Sequence, residues 1–246
     1  MAPSFYASTR GAKAAAWREW WTLLHPPYTL WHLSYVVIGA CLAPRVDAVR
    51  LAGTVLAFFL AVGVAAHALD ELHGRPMDTS IPSSALVAAA IVGLGGAVAV
   101  GLAGIGRVGT GLAAFIAVGV VLALGYNLEL FGGLLHNDIG FALAWGSFPV
   151  LTGYFAQSQR ITITACGAAV FAYFLARSQR NLSSPARALR RATRDVQGVR
   201  TDMNGEREEI TLMALLAPLE ATLRTLTWAT FGLAVTLAVA RLSHRL

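Results

Sequence analysis

Charge is what this chain has least of. Of its 246 residues only 13% are Asp, Glu, Lys or Arg, roughly half the share of an ordinary soluble domain, while 56% are hydrophobic. With a mean hydropathy of +0.60, such a chain cannot face water on every side without broad apolar patches, which excludes a soluble globular protein. Lysine is nearly absent, Lys13 standing alone among arginines. The net charge of +6 therefore reads as topology information, and no nucleic acid is expected as a partner. Cysteine is scarce too. Cys41 and Cys166 both lie inside apolar runs, so no disulfide framework can be read from them. Also missing is the apolar core of a secretory signal, because the first 25 residues carry Arg10, Lys13, Arg18 and Glu19. That segment is expected to stay on the chain.

What the chain has in abundance is long apolar runs. A membrane span needs about 20 mostly apolar residues, and seven candidates are present, at 28–43, 48–69, 85–103, 108–126, 139–157, 161–176 and 223–242. All should be helices, since an open sheet leaves backbone groups unsatisfied in hydrocarbon and a barrel shows short alternating segments instead. The expected fold is all-α, a polytopic transmembrane helical bundle of about seven spans in the cell membrane. Residues 1–27 form an interfacial amphipathic segment in which Trp17, Trp20 and Trp21 anchor a short helix among headgroup lipids. Residues 28–177 form a six-span bundle, 178–222 a cytoplasmic loop, and 223–246 the final span and tail. Within that loop, residues 210–219 follow a helical period that Pro218 is expected to break. Gly93, Gly95, Gly96 and Gly101 are expected to let neighbouring helices approach closely.

The charges give an orientation. With the amino terminus cytoplasmic, 13 of the 19 cationic residues fall inside and six outside, namely Arg45, Arg50, Arg107, Arg160, Arg241 and Arg245. Of the 13 acids only Asp47 falls outside. Asp70, Glu71, Asp78, Glu129 and Asp138 collect in the two short inner loops after the second and fourth spans. Carboxylates at a membrane boundary are costly unless paired or used, which makes these two clusters the candidate sites.

The first cluster runs from His67 through Asp70, Glu71, His73, Gly74, Arg75 and Pro76 to Asp78. On a helix, His67 shares a face with Asp70 and Glu71, one turn away, so imidazole and carboxylate could hold a divalent ion there. Gly74 and Pro76 should end the helix, and Arg75 then offers a forked phosphate contact. The second cluster is Tyr126, Asn127 and Glu129 with His136, Asn137 and Asp138. Ordinary interfacial polarity would account for much of both, and Asn137 or Asp138 would cap the next helix.

Three stretches together resemble the UbiA-type intramembrane prenyltransferases. They are His25-Pro-Pro-Tyr-Thr-Leu-Trp31, the acidic string before Arg75-Pro76, and the aromatic and glycine pattern from Trp145 to Gln157. Over roughly the first 180 residues their order and spacing agree with that family. The resemblance implies a helical bundle that binds magnesium at its inner end and transfers a prenyl group from a prenyl diphosphate to an acceptor within the membrane. It implies catalytic roles for Asp70 and Glu71, a magnesium site at Asp70, Glu71 and His67, and substrate contacts at Arg75, Tyr126, Asn127 and Arg180. A prenyl diphosphate or polyprenyl lipid and the surrounding membrane lipids would be its partners. The chain departs from the pattern after the sixth span, where 175–182 holds Arg177 and Arg180 but no acid. The alternative reading is a noncatalytic lipid-binding subunit or scaffold that keeps the fold without the chemistry.

Overall fold

A computed structural model of the chain describes residues 16–243. The expected placement of Arg10 and Lys13 lies outside these residues. The fold is all-α: α1 (Ala16–Leu23), α2 (Pro26–Cys41), α3 (Ala48–Leu72), α4 (Ser83–Val108), α5 (Leu112–Asn127), α6 (Asp138–Ser158), α7 (Ile163–Arg191) and α8 (Leu212–Ser243). One small antiparallel hairpin pairs β1 (Val199–Thr201) with β2 (Arg207–Glu209) between the last two helices.

Among the described residues four helices, α3, α4, α6 and α8, are long and apolar enough to cross a membrane, and α5 is a shorter apolar helix. The others in the expected set of seven are a different kind of helix. α2 is only 16 residues long, and most of it is buried, including Trp31, Tyr35, Val36 and Ala40. It packs chiefly on α6 and α8, so its apolar residues serve the protein core. α7 begins in an apolar run but carries Arg177, Arg180, Arg187, Arg190 and Arg191 along its second half.

The approach of α2 to α6 is set by two glycines. A Cβ at Gly39 would lie 2.1 Å from the Val150 carbonyl oxygen, and one at Gly153 would lie 2.2 Å from that of Val36. Of the glycines expected to bring helices together, Gly93 meets the backbone of α3 at Leu60 and Ala65, and Gly101 meets Ile116, whereas Gly95 faces open space.

Arginines close the ends of several helices opposite the two acidic clusters. Arg50 donates to the carbonyl of Gln157 at 3.3 Å and to that of Arg107, joining the last turns of α6 and α4. Arg241 does the same for α2, donating to Cys41 at 2.9 Å and to Ala43. The carbonyls of Cys41, Arg107 and Gln157 lie in the last turns of their helices, which leave carbonyls unpaired and carry the negative end of the dipole, so a guanidinium satisfies both needs. Asp47 caps α3 by accepting from the amides of Val49 and Arg50, both at 2.9 Å. Those bonds hold its carboxyl below the ordinary range.

Two expectations about the region after residue 176 are revised. α7 does not give way to a loop there but continues to Arg191, because Leu182, Ala186 and Leu189 pack against Tyr28, Leu216, Leu219 and Leu223. Its far end is tied to α8 by a two-pronged ion pair, Arg190 to Glu220, at 2.6 and 2.7 Å. Nor does Pro218 break the helix at 210–219. α8 runs through it from Leu212, and a proline in the second turn forfeits only one ladder bond.

Candidate functional site

Two helices of the bundle contain a wide, π-type stretch: Phe59–Ala66 in α3 and Leu143–Ser147 in α6. Such stretches are rare and often mark functional sites. Here both flank a polar cavity of about 290 Å³ near the end of the bundle that carries the two acidic clusters. The cavity draws on five helices. His25, Tyr28 and His32 come from the start of α2; Val62, Ala66, His67 and Asp70 from α3; Tyr126 and Asn127 from α5. Phe141 and Trp145 come from α6, Arg180, Ser183, Arg187 and Arg191 from α7, and the loops add Pro76, Met77 and His136.

Both sequence clusters thus reach one cavity, yet not all of their members do. His67, Asp70, Tyr126, Asn127 and Arg180 line it. Arg180 is firmly placed. It donates to Asp138 at 3.0 Å and to the Tyr126 hydroxyl at 2.9 Å, and its guanidinium stands 5.1 Å from the centre of the Phe141 ring. Tyr126 in turn stacks on His136 at 4.6 Å. Asn127 returns its amide to its own helix, donating to the Ala123 carbonyl at 2.7 Å.

Glu71 and Arg75 are absent from the cavity lining. Glu71 is fully buried and accepts from the amides of Met77 and Thr79, both at 2.9 Å, and from the Thr79 hydroxyl at 2.8 Å. Arg75 donates to the carbonyls of Thr79 and Ile81 and to the Ser83 hydroxyl. Glu19 of α1 holds the same loop from outside through Ser80. Three charged side chains therefore shape the 73–82 loop, which carries Pro76 and Met77 to the cavity wall.

The magnesium site implied by the resemblance does not fit these donors. Asp70 is the sole carboxylate among the described residues lining the cavity, and Glu71 is spent on the loop. Among the described residues no three His, Cys, Asp or Glu side chains come together as a metal would require. What faces Asp70 is cationic: Arg180, Arg187 and Arg191 lie at i, i+7 and i+11 on one face of α7. Burial, followed by the nearby His67, Arg191 and Arg187, pushes the His25 pKa well below its ordinary value.

A second cavity, of about 270 Å³ and almost wholly apolar, runs between α3, α4, α5 and α6. Its walls include Phe58 and Ala61, Leu94 and Val98, Phe115 and Gly119, and Phe148, and it ends near Arg50 and Arg107. Val62 and Trp145 line both cavities. The two spaces therefore share a wall, with a basic compartment on one side and a hydrocarbon-lined one on the other.

Sequence reasoning passed over His25, His32, Arg187 and Arg191. For His32 the signal was present, since an ionisable residue inside an apolar run is by default a functional candidate. For Arg187 and Arg191 it was the spacing from Arg180, visible only once α7 is known to continue. No protein-family model, characterised protein or solved structure matches this chain.

Proposed function

We propose that this is an integral membrane protein that takes up a prenyl diphosphate from the bilayer and transfers its prenyl group to an acceptor. The observation that supports this most is the shared wall between the basic and apolar cavities. A ligand with a multiply charged head and a hydrocarbon tail matches the pair, and neither cavity alone would call for one. On this reading the diphosphate lies against Arg180, Arg187 and Arg191, whose forked donors suit phosphate oxygens. The tail follows Trp145 and Val62 into the apolar cavity. Departure of pyrophosphate leaves an allylic cation beside the faces of Trp145, Tyr126 and Phe141, where ring quadrupoles stabilise positive charge. Neutralisation of the leaving group falls to the arginines, acting as fixed charges in a partly dry site.

The same reading has the chain crossing the cell membrane seven times, with α2 and the first part of α7 completing the set, the amino terminus in the cytoplasm, and membrane lipids around it. Trp17 and Trp21, both exposed on α1, would lie at headgroup level. A second reading, a noncatalytic prenyl-lipid carrier, is favoured by one observation: Glu71, expected to be catalytic, is committed to the loop.

Mass spectrometry separates the two. The protein in nanodiscs, given geranylgeranyl diphosphate and a membrane lipid extract, is expected to release pyrophosphate and yield a prenylated product. Intact lipid retained at one per chain, without turnover, would establish the carrier. No retained lipid and no product would defeat both.

A further inference from the structure

Three histidines of the polar cavity are held in one way. The Nδ1 of His32 lies 2.8 Å from the Trp145 carbonyl oxygen, that of His67 lies 3.2 Å from Gly63, and that of His136 lies 3.0 Å from Tyr126. A carbonyl oxygen only accepts, so each contact calls for a hydrogen on Nδ1, and in that tautomer Nε2 is the ring's acceptor. Two of the three carbonyls, those of Gly63 and Trp145, belong to the π-type stretches of α3 and α6. The third is in the last turn of α5, where the Tyr126 carbonyl also accepts from the Glu129 amide at 3.4 Å. The π-type stretches thus orient the imidazoles of His67 and His32, and the end of α5 orients that of His136.

His32 differs from the other two in position. It is buried, and its ring stands 6.2 Å from that of Trp145 and 6.1 Å from that of Phe141. Trp145 forms part of the wall common to the two cavities. Of the three histidines, His32 is the one whose ring is bonded to Trp145, a residue of that shared wall, and it lines the polar cavity itself.

Resting on the prenyl-transfer reading, we infer that His32 Nε2 is the proton acceptor for the second substrate, which is therefore a nucleophile bearing an ionisable hydroxyl. In the step, the hydroxyl proton passes to Nε2 and the freed oxygen pair forms a bond to the first prenyl carbon. The bond from that carbon to the diphosphate oxygen breaks, and its electron pair leaves with pyrophosphate, opposite Arg180, Arg187 and Arg191. Positioned bases of this kind contribute about 100-fold or more in rate.

The test uses His32→Asn, whose amide N–H takes the place of Nδ1–H toward the Trp145 carbonyl while the basic nitrogen is deleted. Geranylgeranyl diphosphate is the donor, and phenol and 4-nitrophenol are acceptors of similar shape but different acidity. His32→Asn is expected to bind the donor as the wild type does and to transfer to phenol roughly 100-fold more slowly. With 4-nitrophenol, which ionises without help, the loss should nearly vanish. Equal slowing with both acceptors, or none with either, overturns the assignment. So does a wild type that binds the donor but alkylates neither, an outcome that leaves prenyl-lipid binding intact. A wild type that fails to bind the donor removes the prenyl-transfer reading and this role together.

Discussion

At the level of single residues, the acidic string of α3 divides its labour. Asp70 faces the cavity, while the neighbouring Glu71 turns away and organises the next loop through three hydrogen bonds. Glu71→Ala strips the acceptor from the amides of Met77 and Thr79 in a buried setting, at a cost of about 1–3 kcal/mol for each group left wanting. The variant should unfold well below the wild type in a detergent melt. Glu71→Gln, which keeps one acceptor oxygen, should fall between them. An unchanged midpoint for Glu71→Ala would mean that the carboxylate is free for a ligand after all. Sequence alone could not separate the two acids, since His67 sits one turn from each. What decides is the backbone after Leu72, where Arg75 and Asp78 adopt left-handed conformations and fold the loop back over Glu71. That turn is held by Glu19 of α1, remote in sequence, through Ser80, and by the start of α4 through the bond from Arg75 to Ser83.

At the level of elements, the runs of apolar residues were readable and their ends were not. The seven stretches found by hydropathy each correspond to a helix, because buried or lipid-facing backbone must bond within its own segment. Yet α7 continues past its apolar run on the strength of Leu182, Ala186 and Leu189, three positions of a helical stripe hidden among arginines. The π-type stretches left no mark in composition. Close packing of α2 on α6 was legible only as an excess of glycine, without saying which glycines matter. Gly39 and Gly153 do. Gly153→Ala should destabilise the protein by about 1–3 kcal/mol or more, because the new methyl meets a backbone carbonyl that cannot give way without moving a helix. Gly167→Ala, with nothing within 4 Å of the added carbon, should be neutral or stabilising by up to ~1 kcal/mol. Equal melting points for the two variants would contradict the proposed contact.

At the level of the whole molecule, the charges divide by role. Arg50 and Arg241, at one end, are used up on helix carbonyls. At the other end the arginines of α7 serve two purposes: Arg190 secures α8 through Glu220, while Arg180, Arg187 and Arg191 line the cavity. Gathering both acidic clusters at one end was readable from the order of spans and loops. That order also allowed a pocket between them, but its basic wall was not readable, because it depends on α7 bringing Arg180 to Asp138 and Tyr126 across more than forty residues of chain. The head-and-tail pair of cavities is the feature on which the functional account turns, and binding without metal tests it most directly. Radiolabelled geranylgeranyl diphosphate should bind saturably to the protein in nanodiscs in the presence of a chelator. Replacing Arg187 and Arg191 together by Ala should weaken that binding at least tenfold, about 1.4 kcal/mol. Absence of saturable binding, or binding that appears only when magnesium is restored, would contradict the account.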